Sequence, residues 1–163
     1  MNLFSCCTST TEQGNVGFTH AKHLFTRLCY PVSNPIEGAS YDLIIDYNGL
    51  KRIQIKTCDY LHKKEDSLSW VFSLASSKYN SEGNRIESNN HKGNVDFYYL
   101  LTANEDVFLV PDLLIPSRKL SLPYNRPSPK YDPFKIMTQG VFCQDTLEKV
   151  LCSPTITSVL VAT

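Results

Sequence analysis

In the stretch YDLIIDYNGLKRIQIKTC, residues 41–58, an acid (Asp42), an amide (Gln54) and an amine (Lys56) stand where a hairpin would bring them together. Whether they meet depends on the strand register. Asn48-Gly49 lies between two apolar runs, the strongest short signal for a tight turn. A two-residue loop would set Leu43 against Gln54 and Ile45 against Arg52, mixing polar and apolar residues on both faces. A three-residue loop or a bulge instead pairs Leu43 with Ile55 and Ile45 with Ile53 on one aliphatic face. The other face then holds Asp42–Lys56, Ile44–Gln54 and Asp46–Arg52. A one-residue slip flips every side chain, so the second register is expected, with Gly49 in the left-handed position. A strand-end ion pair beside a surface glutamine would account for the trio with no further chemistry.

The elements that must position these residues are legible around them. A helix is expected over 11–29, capped by Thr10 or Thr11, with Gly17, Phe18, Ala21, Leu24, Phe25 and Leu28 at helical spacing. Gly14 and Gly17 are poor helix formers and need another reason, such as close backbone approach. Strands are expected at 67–74 (SLSWVFSL), 95–102 (VDFYYLLT) and 107–111 (VFLVP), and a short helix near 143–152. Residues 76–94 are polar and turn-rich, and after Pro111 the chain is Pro-rich and basic to about residue 135. The tail from Ser153 is uncharged and reads as a flexible end unless a partner covers it. Strands in runs flanked by helices indicate an α+β or mixed α/β fold.

With 163 residues, 42% of them hydrophobic, one domain with a sizeable core is expected. No apolar run approaches bilayer length, and MNLFSCCTST lacks a basic region before an apolar one. No membrane partner and a cytoplasmic location are therefore expected. The six cysteines form no CxxC pair and read as reduced thiols. The net charge is zero, yet residues 51–64 and 113–139 each carry +4 while 65–112 carry −5. A basic surface on a neutral chain is compatible with that distribution. His20 and His23 in HAKH lie one helical turn apart, but no third or fourth ligand stands nearby in sequence.

An Asp, eleven intervening residues, then Gln-x-Lys resembles the active-site motif of the PD-(D/E)XK nuclease superfamily. The nearest likeness within it is to the homing endonucleases that group I introns encode. Glu12 on the first helix resembles the extra acid many members carry, and YDLII, RIQIKT and VDFYYLL…VFLVP resemble the successive core strands. The resemblance covers about residues 10–112. It implies a restriction-endonuclease-like core, a central mixed β-sheet flanked by helices, in a single nuclease domain over 1–163. Residues 76–94 would be a DNA-reading insertion, and 113–163 a basic loop, short helix and tail. One departure matters: the motif's second acid is Gln54 here. An amide oxygen still ligates a hard cation but brings no charge, so Mg²⁺ or Mn²⁺ would be held more weakly. The resemblance implies ligands from Asp42, Gln54, the Ile55 carbonyl and Glu12. It also implies metal-assisted phosphodiester hydrolysis, with Lys56 holding the attacking water and stabilising charge.

The implied partner is double-stranded DNA. On composition alone 76–94 is either a solvated loop or a groove-reading ribbon; the resemblance favours the ribbon. Lys78, Arg85 and Lys92 with Asn80, Asn84, Asn89 and Asn90 would read bases, as Arg reads guanine and Asn adenine. Arg118, Lys119, Arg126 and Lys130 are expected to position phosphates, with a plain surface linker as the rival; Lys63 and Lys64 would track the backbone. Amides of GNVG (14–17) would approach a DNA backbone or pack on the sheet. Trp70 is expected in the core. A chain of this length has a diameter of about 40 Å, whereas a homing site of about 20 base pairs spans roughly 70 Å. A two-fold homo-oligomer on a near-palindromic target follows, a dimer at least and a tetramer if a dimer cannot place every part. Two alternatives stand beside this: a Holliday-junction or repair-type nuclease, and a sequence-specific DNA-binding protein that has lost cleavage.

Overall fold

Helix α1 (Thr10–Arg27) begins where the Ser9 hydroxyl accepts the Glu12 amide at 3.2 Å, so the cap is Ser9 rather than Thr10 or Thr11. In this computed structural model the described residues are 2–64, 67–79, 82, 85–88, 91, 93–116, 118–124 and 126–153, with backbone alone for 76–79 and 85–88. Along the chain α1 is followed by β1 (Val32–Ser33), β2 (Leu43–Asp46), β3 (Leu50–Cys58), β4 (Leu61–Lys64) and β5 (Ser67–Ser73). Then come β6 (Ser76–Tyr79), β7 (Arg85–Ser88), β8 (Phe97–Thr102), β9 (Val107–Pro111) and β10 (Lys119–Pro123). The chain continues with β11 (Lys135–Thr138), β12 (Val141–Phe142) and α2 (Gln144–Cys152).

One mixed sheet of seven strands has the order β1-β2-β3-β8-β9-β11-β12. Only the central β3–β8 pair is parallel; the other neighbours are antiparallel. Every residue of β8 and β9 is buried, which explains their unbroken apolar sequences. α1 lays Gly17, Ala21, Leu24 and Phe25 inward. A Cβ at Gly17 would collide with Thr57 Cγ2 of β3, so that glycine permits the helix to sit directly on the strand. Gly14 has no such neighbour.

The β2–β3 register corrects the expected one. Leu43 pairs with Ile53, Ile44 with Arg52, Ile45 with Lys51 and Asp46 with Leu50. The parity holds, so the faces are as expected, but the pairing slides by two residues. The loop is Tyr47–Gly49, with φ of +50° at Asn48 and +110° at Gly49, and Asp46 Oδ1 accepts the Gly49 amide at 3.2 Å. The expected pairing maximised aliphatic contacts within the hairpin. Ile55 finds them elsewhere, beside Tyr99 in the neighbouring strand and under Gly17 of α1. Arg52, expected opposite Asp46, forks onto Asp96 instead, at 3.1 Å from Nε and 3.2 Å from a terminal nitrogen.

The second correction concerns the basic segment. Part of it is not linker: β10 pairs with β5, and β5 with β4, in a separate three-stranded sheet. Leu120 and Leu122 alternate inward against Phe72 and Trp70, and all four are buried. Trp70 is a core residue, with Tyr124 edge-on at 5.8 Å. β6 and β7 pair with each other as a two-stranded ribbon that leaves directly from β5. Among the described residues no helix is long and apolar enough to cross a membrane.

Candidate active site

Asp42 immediately precedes β2, and the corrected register sets it level with Gln54 rather than Lys56. Its amide donates to the Ile53 carbonyl at 2.9 Å. Beyond that point β3 has no β2 neighbour, and the Asp42 carboxylate takes over: Oδ2 accepts the Ile55 amide at 2.7 Å and the Gln54 side-chain amide. On its other edge β3 is held by β8 from Ile53 to Cys58. Gln54, Ile55 and Lys56 are thus presented on a rigid strand, with the acid fastened to its free edge.

These residues line a cleft of about 450 Å³, closed on one side by α1 through Thr11, Gly14, Asn15 and Phe18 and continued by Thr57. Burial pushes the Asp42 carboxyl above its ordinary value, against the opposing pull of the Ile55 amide, Lys56, His91 and Gln54. Burial likewise pulls the Lys56 amine below the usual lysine value, with the Asp42 charge opposing. Two half-buried groups of opposite sign, each pushed toward neutrality within one cleft, are the pattern of a functional site. Gln54 is 4% exposed, and its Oε1 is buried with no hydrogen-bond partner among the described residues. A half-turn of the amide would bring that oxygen beside Asp42. The Asp42 carboxylate, the Gln54 amide oxygen and the Ile55 carbonyl are hard oxygen donors that fit a divalent cation such as Mg²⁺. Among the described residues no three His, Cys, Asp or Glu side chains converge on a metal position, so the further donors here are amide and carbonyl.

The structure does not bring Glu12 to this cleft. Its carboxylate accepts the Thr8 amide at 2.6 Å and the Thr8 hydroxyl at 2.9 Å, which holds its pKa down. Thr11 and Asn15, one helical turn apart, face the cleft instead; the helical period through Gly14 and Phe18 already contained that signal. Among the described residues no third His, Cys, Asp or Glu joins the two histidines of HAKH; His20 Nδ1 bonds the buried Tyr99 hydroxyl at 2.8 Å, and His23 is exposed.

Of the expected DNA-contacting residues, Lys63, Lys64, Arg118, Lys119, Arg126 and Lys130 are all exposed. The three-stranded sheet brings two of the separate basic segments onto one surface. Lys64 pairs with Ser67 and Lys119 with Ser73, placing both on one face of β5, about 20 Å apart by strand rise. His62, opposite Ser69, joins them, and sequence reasoning missed it. Lys130 lies over the Tyr131 ring at 5.1 Å. Lys78 and Arg85 fall on the paired strands of the ribbon. Asn80, Asn84, Asn89, Asn90 and Lys92 lie outside the described residues.

A mixed sheet with an acid ahead of one strand and a Gln-x-Lys run on the next, under a helix, defines a nuclease core. The family model for PD-(D/E)XK endonucleases matches residues 8–124, and the chain belongs to that family. The solved structure of a bacterial homing endonuclease, I-Ssp6803I, aligns with a TM-score of 0.60 over 73% of this chain and 84% of that chain, at 21% sequence identity. At that identity the likeness is one of fold. No curated protein sequence matches the chain.

Proposed function

We propose that this nuclease is a homing-type endonuclease that makes double-strand cuts at a long, near-palindromic DNA site, with Mg²⁺ or Mn²⁺ as its cofactor. The observation that carries the reading is the convergence of Asp42, Gln54, Ile55 and Lys56 in one cleft at the free edge of β3. The name of the aligned structure, a bacterial homing endonuclease, supports it. Asp42, Gln54 through Oε1 and the Ile55 carbonyl would hold the cation. When bound, the cation supplies Lewis acidity at the scissile phosphate. Lys56 Nζ would hold the attacking water, and its lowered pKa leaves more of the amine unprotonated to take a proton from that water as the water oxygen bonds to phosphorus, the phosphorus–oxygen bond to the leaving group breaks and the leaving oxygen takes a proton from solvent. Its hydrogen bonds also stabilise charge on the phosphoryl oxygens. Glu12 joins as a ligand, directly or through water, only by releasing Thr8.

The face carrying His62, Lys64 and Lys119, together with the exposed Lys63, Arg118, Arg126 and Lys130, would hold phosphates. The ribbon, from Lys78 to Lys92, would read bases in the major groove. The whole chain acts as one nuclease domain, and a two-fold homo-oligomer places a second centre on the other strand. One observation favours a second reading, a DNA-binding protein that no longer cuts: the Gln54 amide nitrogen, not its oxygen, faces Asp42. Selection of bound duplexes from a randomised pool, followed by Mg²⁺ and then by Mn²⁺, separates the readings. A symmetric consensus of about 20 base pairs, cut on both strands, is expected. Symmetric binding without cuts in either metal would establish the second reading, and, in a parallel assay with a four-way junction, cuts there and not in the duplexes would show a junction-type nuclease.

A further inference from the structure

We propose that His91 is a positioning residue for the cleavage centre, tying the return arm of the β6–β7 ribbon to the chain segment that delivers Asp42. His91 stands three residues beyond Ser88, the end of β7, and its ring is half-buried. Its Nδ1 lies 2.6 Å from the Ser40 carbonyl oxygen. A carbonyl only accepts, so Nδ1 carries the proton and donates.

Ser40 lies two residues ahead of Asp42, on the stretch between Ser33, where β1 ends, and Leu43, where β2 begins. Among the described residues that stretch pairs with no strand, and Asp42 itself has one backbone bond to β3, to the Ile53 carbonyl. The described residues around and after His91 are tied to the core. The His91 carbonyl accepts the Asn94 amide at 2.9 Å, the Gly93 amide donates to Asp112 Oδ2 at 2.9 Å, and the Asp96 amide donates to the Arg52 carbonyl at 2.8 Å. A loosely held stretch ahead of the acid is therefore pinned from an arm anchored to β3 and to the end of β9. The contact joins the ribbon, proposed to read bases, to the acid proposed to hold the cation. Nothing in the sequence flagged His91, because the pairing spans 51 residues.

This inference rests on the proposed metal-dependent nuclease reading, and Mn²⁺ binding to the full chain tests both without knowing the DNA target. Free Mn²⁺ would be followed by electron paramagnetic resonance for the unaltered chain and for Asp42→Ala, His91→Ala, His91→Asn and His91→Gln. Asparagine keeps a donor close to the Nδ1 position; glutamine carries it one methylene further out. The unaltered chain should bind Mn²⁺ in a way that Asp42→Ala abolishes. His91→Ala and His91→Gln should weaken binding about tenfold, as loss of a group that orients a ligand does. His91→Asn should stay within about twofold of the unaltered chain. Equal binding by His91→Ala, or equal loss in His91→Asn and His91→Ala, would overturn the positioning role alone. Absence of Asp42-dependent binding in the unaltered chain would overturn the metal reading and this inference together.

Discussion

The Asp42 carboxylate accepts the backbone amide of Ile55 at 2.7 Å, so a side chain stands where a strand partner would otherwise be. One residue thereby ends the β2–β3 ladder, satisfies a β3 amide and presents its charge to the cleft. Asp42→Asn keeps an oxygen for the Ile55 amide but removes the charge. It should leave DNA binding and the fold in place and lower single-turnover cleavage on the order of a hundredfold or more. Circular dichroism and a binding isotherm in Ca²⁺ would check that only the chemistry changed.

Gln54→Glu would put two carboxylates side by side in a buried cleft. Like charges there destabilise the metal-free protein at neutral pH. The melting temperature without metal should therefore fall, and Mg²⁺ should restore it by more than it raises that of the unaltered chain. Half-maximal cleavage should also need less Mg²⁺. Thermal melts across a Mg²⁺ series measure the first effect and rates the second.

The shifts at Asp42 and Lys56 set opposite pH dependences. The folded-state pKa of Asp42 is raised, so its contribution is fully present below the unfolded carboxylate value and is lost as pH rises through the folded value. The stability of Asp42→Asn relative to the unaltered chain should therefore climb with pH across that acidic window and then level off. The folded-state pKa of Lys56 is lowered, so its contribution is present above the unfolded lysine value and is lost as pH falls through the folded one. Cleavage should correspondingly rise with pH before the ordinary lysine range is reached, and that rise should be absent in Lys56→Ala. Denaturant melts and rates at stepped pH report both.

Gly14 and Gly17 share a helix but not a reason. Gly17→Ala would drive a methyl group into Thr57 and push α1 from β3, costing about 1–3 kcal/mol. Gly14→Ala meets nothing within 4 Å and should stabilise the chain by roughly 1 kcal/mol through helix propensity. Urea unfolding of the two variants should move in opposite directions.

Much of the core was legible because its signals are local. Asn48-Gly49 marks a turn, and the alternation around it fixes which residues share a face, so Asp42 and Gln54 were grouped correctly. The two-residue slide was not legible, because it depends on Ile55 being covered by α1 and β8, which are distant in sequence. β10 was hidden by composition: Leu120 and Leu122 alternate as a strand should, but Pro116 and Pro123 bracket them and basic residues precede them. The detour of Glu12 to Thr8 reflects a helix start one residue earlier than expected. His91 and His62 reach their positions only through the sheet topology.

The most direct test of the nuclease centre is cleavage of a randomised duplex library by the unaltered chain and by Lys56→Ala, in Mg²⁺ and in Mn²⁺. Sequence-defined double-strand cuts that the substitution abolishes, with DNA binding retained, are the predicted result. Cuts that persist in Lys56→Ala, or binding without cuts in either metal, would contradict the assignment of catalysis to this cleft.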